Sequence, residues 1–411
     1  MSKIVKNYDC GLRLIVEEMP GFKSVATSIM VTVGSSDELP GEHGLSHFCE
    51  HMLFKGTQKR TSEEITRELS TLGVDYNAWT SENATCYHTK GIRENVESCT
   101  DILADMYFNA KFADDDFNKE GNVIVQEIAM REDRPHLVVA DLGNSTFFAG
   151  TKYEHSVTGT SKEVKSYKPT DIYNYIKKHY LPEKTIVAFA GDITVAEAER
   201  LVKKYFLPYY KTKNKPLVLE KTDKTVTPVP QIVKKKKNTE QQSVTLLFPV
   251  CNMYNDDKYA LYVLGAVFSG DMSSRLFVNV RERAGLVYTI MGGAELTDIG
   301  GYYYIFFSCT PKNTNLVIET TKAEIKKLLE GGITADELQK VKNIKRTDRL
   351  FESENTERIN ARNQDELANH NEIKTTEEYL KILDSITVED VNAVAKKYLD
   401  VNKMLIATVG K

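Results

Sequence analysis

Two spacings alternate along this chain, and their order repeats. Thr170-Asp-Ile-Tyr-Asn-Tyr-Ile-Lys-Lys has helical spacing, and Thr185-Ile-Val-Ala-Phe-Ala-Gly191 after it reads as a buried strand that ends at glycine. The same text returns near the C-terminus as Glu389-Asp-Val-Asn-Ala-Val-Ala-Lys-Lys and then Met404-Leu-Ile-Ala-Thr-Val-Gly410. The offset is 219 residues at Lys177/Lys396 and again at Gly191/Gly410. Upstream, Phe112-Ala-Asp-Asp-Asp-Phe matches Ile333-Thr-Ala-Asp-Glu-Leu at an offset of 221, each opening a long helical pattern. Solenoid repeats span roughly 20–50 residues, so a period this long points to a duplication into two similar halves.

Strand-like runs (Ser24–Val33, Gln242–Phe248, Gly301–Cys309) alternate with helices, but strands also follow one another directly. Val5–Glu17 and Ser24–Val33 are separated only by a short Met-Pro-Gly turn, a meander signal. The pattern predicts an α+β fold with largely antiparallel sheets rather than strict βαβ units. At 411 residues the chain has room for two or three domains of about 150 residues. The halves meet in the Lys-, Thr- and Pro-rich text from Lys211 to Lys237. The expected division is therefore a domain over 1–215, a linker over 216–230 and a second domain over 231–411.

Composition narrows the function classes. There are 54 basic against 58 acidic residues, a net charge of −4, so no global basic field attracts nucleic acid. The longest basic run, Lys234–Lys237, reads as a solvated strand or loop face. No apolar stretch is long enough to insert into a membrane. Glu17 and Glu18 stand where a signal peptide needs its apolar segment, and the start lacks the Arg and Ser of a transit peptide. A cytoplasmic protein is expected, the alternative being a mitochondrial-matrix chain that has lost its presequence. Six cysteines lie far apart with no CxxC pair, against both a thiolate zinc site and a disulfide framework.

The chemistry concentrates in Gly44-Leu-Ser-His47-Phe-Cys-Glu50-His51-Met-Leu-Phe-Lys-Gly56. On a helix, His47 and His51 are i and i+4, so both imidazoles leave one face at a separation one Zn²⁺ can bridge. Glu50 falls beside that face, where a general base for an attacking water belongs. His43 and His47 form a second i,i+4 pair, but Gly44 marks the helix start and leaves His43 off the face; Gly56 marks the stop. In an arbitrary chain such a cluster reads more readily as a surface feature. A zinc site also needs a third protein ligand. Glu120 and Glu127 are two turns apart on one helical pattern that Pro135 closes, with Ile124 and Ile128 on an adjacent apolar stripe. By composition alone either Glu is more readily a solvated carboxylate.

The HxxEH order resembles the inverzincin peptidases of the pitrilysin type, over essentially the whole chain. His47-Phe-Cys-Glu50-His51-Met-Leu-Phe-Lys-Gly-Thr57 is similar to that family's zinc helix. Glu127, 76 residues after His51, stands where the family places its third ligand, and Glu120 where it places a carboxylate behind a zinc-bound histidine. Asn77-Ala78-Trp79-Thr80 resembles its substrate-binding edge strand. Arg281-Glu-Arg-Ala-Gly-Leu-Val-Tyr288 is similar to its Arg…Tyr pair, which reaches the substrate from the second domain; by composition alone it is an amphipathic helix with an exposed Arg. Their spacing of seven places them two turns apart if the helix persists past Gly285.

The resemblance implies two related α+β domains facing each other across a cavity like a clamshell, each with a mostly antiparallel sheet flanked by helices. It implies one Zn²⁺ per chain on His47, His51 and Glu127, with Glu50, Arg281 and Tyr288 catalytic. It also implies peptide substrates held in extended form and a homodimer. Two departures stand out: Cys49 replaces a larger apolar residue, and Ser269-Gly-Asp271 is shorter in glycine than the family's flexible loop. A scaffold subunit without activity, or a zinc module that captures peptides without cutting them, are the competing expectations. The retained motif residues argue against the first, and the intact Glu50 against the second.

Overall fold

The structure, a computed structural model, describes residues 2–218, 221–223 and 225–411. The chain divides into two compact units. The first holds a six-stranded sheet of β1 (Ser2–Asn7), β2 (Arg13–Glu18), β3 (Ser24–Val31), β4 (Asp75–Thr80), β5 (Thr85–Ile92) and β6 (Thr185–Gly191), in the order β1-β2-β6-β3-β5-β4. The second holds a five-stranded sheet of β7 (Ile232–Lys236), β8 (Gln242–Val250), β9 (Thr289–Thr297), β10 (Gly300–Cys309) and β11 (Leu405–Gly410), in the order β7-β11-β8-β10-β9. Each sheet has a single parallel pair, β2 with β6 and β7 with β11, and is otherwise antiparallel. Laid side by side, β2-β6-β3-β5-β4 and β7-β11-β8-β10-β9 share one topology, so the two units are related α+β domains.

The repeat has a local physical cause. Gly191 and Gly410 end equivalent strands with φ of 138° and 154°. A Cβ on Gly191 would lie 2.1 Å from the Ser24 carbonyl oxygen, and one on Gly410 2.8 Å from Gln242 Oε1. Only glycine fits either place. The run Val5–Glu17 is not one strand: the chain turns through Tyr8–Gly11, with Gly11 at φ 97°, into a hairpin of β1 and β2.

Neither unit is continuous in sequence. The first comprises residues 1–129, 155–219 and 351–373, the second 130–154, 220–350 and 374–411. The expected division near 216–230 is thus crossed twice, each time by a helix. Thr356–His370 lies on β3 and β6 of the first sheet. There Leu367 and Ala368 meet Ile15, Met30, Cys86, Ile186 and Ala188, and Ile359 meets Met19 and Ala190. A buried polar seam joins the same surfaces: Ser28 donates to Gln364 Oε1 (2.8 Å), Gln364 Nε2 to the Ile186 carbonyl (3.2 Å), and Asn363 Nδ2 to Glu17 (2.7 Å). In the second unit Pro135–Phe147 takes the equivalent place, with Val138, Val139 and Phe147 on Leu247, Leu405, Ala407 and Val409. Amphipathic spacing shows that a helix buries one face; it does not say which sheet receives that face.

The opposite face of the first sheet carries the larger core. It includes Leu14, Ile29, Tyr87, Val187 and Phe189, and it receives Phe48, Cys49, Met52 and Leu53 from the helix Leu45–Leu53. Among the described residues no helix is long and apolar enough to cross a membrane. All six cysteines are buried and unpaired.

A fragment of residues 1–215 lacks the helix that covers Ile15, Met30 and Ile186. It should show no cooperative unfolding transition by circular dichroism, and joining residues 351–373 to it through a flexible linker should restore one. In the full chain, Leu367→Ala should cost about 2–5 kcal/mol by denaturant titration.

Candidate metal centre

Gly44 starts the histidine helix at φ 90°, in a place where a Cβ would lie 2.7 Å from the Thr158 carbonyl oxygen. The buried Glu38 carboxylate accepts from the backbone N–H groups of Gly44 (2.8 Å) and Ser46 (2.7 Å), so a side chain from the preceding loop caps the helix N-terminus. Burial pushes the Glu38 carboxyl up to about 8 against those two bonds. The helix ends at Leu53, earlier than Gly56, which sits at φ 113° and bridges to Thr61.

A second helix, Asp114–Glu132, turns Phe117, Glu120, Ile124 and Ile128 inward. Phe48 and Phe117 stack at 4.6 Å between ring centroids, and Gly121 packs beside the Phe48 ring. That contact sets the two helices in register. His47 Nε2 then lies 3.8 Å and His51 Nε2 3.5 Å from the same Glu127 oxygen, Oε2. These three residues each present one donor atom, all within 4.8 Å of one another, and no other such group occurs among the described residues. His43 is elsewhere, stacked on His155 at 3.6 Å, with its carbonyl accepting from the Tyr167 hydroxyl.

His51 Nδ1 is 3.0 Å from Glu120 Oε2, and Lys55 Nζ is 2.7 Å from Glu120 Oε1. A carboxylate only accepts, so Nδ1 carries the hydrogen and Nε2 keeps its lone pair toward Glu127. Burial and the neighbouring His51 push His47 down to about 4, leaving it a neutral donor at physiological pH. Burial also lowers His51, but the bond to Glu120 and the charges of Glu127 and Glu50 outweigh it and raise the pKa. Burial raises Glu50, opposed by a hydrogen bond from Thr80 (Oγ1 to Glu50 Oε2, 2.5 Å). Three carboxylates face one lysine here, an excess of negative charge that suits a divalent cation. Two imidazole nitrogens and one carboxylate oxygen form a donor set that suits zinc.

β4 forms the edge of the sheet beside this cluster and pairs only with β5. A cavity of about 260 Å³ lies between them, lined by Glu50, His51, Phe54, Tyr76, Asn77 and Ala78 among others. The Ala78 N–H is bonded to Asn77 Oδ1 (2.9 Å), and Trp79 is 36% exposed. Arg281 and Tyr288 belong to the second unit. The helical turn Phe277–Arg283 ends before Gly285 (φ 61°), so Tyr288 is not on it. The Arg281 guanidinium lies over the rings of Phe277 (4.5 Å) and Tyr288 (5.5 Å), and Tyr288 is 75% exposed. Spacing alone does not reveal the Glu38 cap, the Lys55–Glu120 pair or the Thr80–Glu50 bond. Of these only Lys55, four residues after His51, carries a periodic signal.

Residues 13–161 match the family model described as insulinase (peptidase family M16), and residues 166–345 match the peptidase M16 inactive domain. The uncharacterized zinc protease YmxG of Bacillus subtilis is 31% identical across 96% of this chain and 95% of its own length. The chain belongs to peptidase family M16. Another family relative, the uncharacterized zinc protease ML0855 of Mycobacterium leprae, is 29% identical over 95% of this chain and 88% of its own length. A protease from Helicobacter pylori shares the M16 fold with a TM-score of 0.91 at 20% identity, over 100% of this chain and 99% of that one.

His51→Ala should abolish stoichiometric zinc by atomic absorption, whereas His43→Ala should retain it. Proton and metal compete for His51 Nε2, so chelator competition should show zinc affinity falling as pH drops through the raised His51 pKa. Glu120→Gln should move that fall to lower pH and weaken zinc by about 10- to 100-fold above it.

Proposed function

We propose that this M16 chain is a zinc-dependent endopeptidase that hydrolyses peptides held in extended form. The observation that carries the reading is the convergence of His47, His51 and Glu127 donors within 4.8 Å, with Glu50 on the same helix beside them. A zinc ion on those three residues would supply Lewis-acid polarisation of the attacking water and the scissile carbonyl. Glu50 accepts the proton of the attacking water as its oxygen bonds to the carbonyl carbon, then delivers that proton to the amine as the C–N bond breaks. Glu120 holds the His51 ring in its metal-binding tautomer. The edge strand Asn77-Ala78-Trp79-Thr80 would pair with the peptide main chain, a mode that accepts many sequences. Arg281 and Tyr288 complete the proposal as donors to substrate from the second unit.

A single candidate metal-ligand group among the described residues accords with the inactive-domain model over 166–345. The proposed assembly is a homodimer in which each chain keeps its own centre, to be checked by light scattering. A non-catalytic scaffold or a capture module would need no base beside the metal.

Chelator-sensitive cleavage of an internally quenched peptide tests the reading directly. Glu50→Gln should keep zinc and peptide binding but lower kcat by about 10²- to 10⁴-fold. A rate near wild type in that variant would remove Glu50 from the mechanism. Tyr288→Phe should lower kcat far more than it raises KM, with zinc content unchanged.

A further inference from the structure

We infer that Thr80 is a positioning residue for Glu50, coupling the edge strand to the base; this rests on the peptidase reading but adds a contact that reading does not require. Thr80 is the last residue of β4, and its hydroxyl crosses to the histidine helix to donate to Glu50 Oε2 at 2.5 Å. The other carboxylate oxygen, Oε1, has no hydrogen-bond partner among the described residues. A hydroxyl carries one hydrogen, so this bond commits it. Thr85, the cross-strand partner of Thr80, sends its own hydroxyl to the Val33 carbonyl (3.0 Å) and does not compete for the base.

The contact does two things. A glutamate on a helix has three side-chain torsions, and anchoring one oxygen directs the second. The β-branched threonine is stiff at χ1, so the direction of its hydroxyl follows the strand backbone. The base is therefore aimed by the strand that would carry the substrate. Two residues earlier, the Ala78 N–H is occupied by Asn77 Oδ1, so an arriving peptide main chain has to displace that side chain to use the donor. Any adjustment of β4 on docking passes through Thr80 to Glu50, linking occupancy of the edge to alignment of the base.

The test compares Thr80→Val, which keeps the shape, with Thr80→Ser, which keeps the donor, in wild-type and Glu50→Gln backgrounds. Cleavage of a quenched peptide is followed together with zinc content and peptide binding, the latter by fluorescence of Trp79, the sole tryptophan. Thr80→Val should lower kcat by about 10- to 100-fold with KM, peptide affinity and zinc unchanged. Thr80→Ser should recover most of the rate, and Thr80→Val should cost nothing further in Glu50→Gln. A kcat within about twofold of wild type, a loss expressed in KM, a loss of zinc, or an equal further loss in Glu50→Gln would each overturn the inference. Amide hydrogen exchange over residues 78–81 gives a readout independent of activity: it should quicken alike in Thr80→Val and Glu50→Ala, and no change in either overturns the coupling. A wild-type protein that cuts no peptide would instead defeat the peptidase reading, leaving exchange to decide the contact.

Discussion

The candidate metal centre depends on the register between two helices, along which Phe48 stacks on Phe117. Imidazoles at i and i+4 need only a helix, but their carboxylate partner comes from a segment 76 residues further on. A slip of one residue along Asp114–Glu132 would rotate Glu127 by about 100° and move it away from both rings. Such a slip would also separate the stacked rings of Phe48 and Phe117, which lie 4.6 Å apart between centroids. Aromatic pairs of this kind contribute about 0.5–1.5 kcal/mol beyond the area they bury, and here the geometry matters more than the energy.

Electrostatics around the cluster are arranged by burial rather than by exposed ion pairs. Desolvation keeps His47 neutral, while Glu120 holds a hydrogen on His51 Nδ1 and is itself held by Lys55. One histidine is thus made a donor by its surroundings and the other by a specific partner. Glu50 sits between opposing influences, with burial favouring its protonated form and the Thr80 hydroxyl favouring the carboxylate. The net effect is upward, which suits the proposed role of Glu50 as a base that takes up a proton and later releases it.

The duplication left both units with the same sheet topology but different faces. In the second unit the helix Asp257–Gly265 and the π-helical turns after it are apolar where the first unit has its histidines, and no metal-ligand group occurs there among the described residues. The halves also exchanged their covering helices, and Thr356–His370 meets the first sheet through a polar seam as well as apolar contacts. Gln364 uses both atoms of its amide in that seam, a pairing that tolerates few alternative placements of the helix on the sheet.

The sequence by itself determined the duplicated α+β organisation, because glycine at Gly191 and Gly410 and the helix-then-strand text before each are local necessities. It also marked His47, Glu50 and His51 as a unit, since helical spacing is a property of neighbouring residues. Glu120 and Glu127 were legible only by likeness to a family, as nothing in their own surroundings separates them from solvated carboxylates. Tertiary structure alone decided the rest. Which sheet Pro135–Phe147 and Thr356–His370 cover depends on complementary surfaces far apart in the chain. The histidine helix stops at Leu53, three residues before Gly56. The Thr80 hydroxyl reaches Glu50 only because β4 folds to the sheet edge beside the helix, a contact between residues 30 apart that no local pattern encodes.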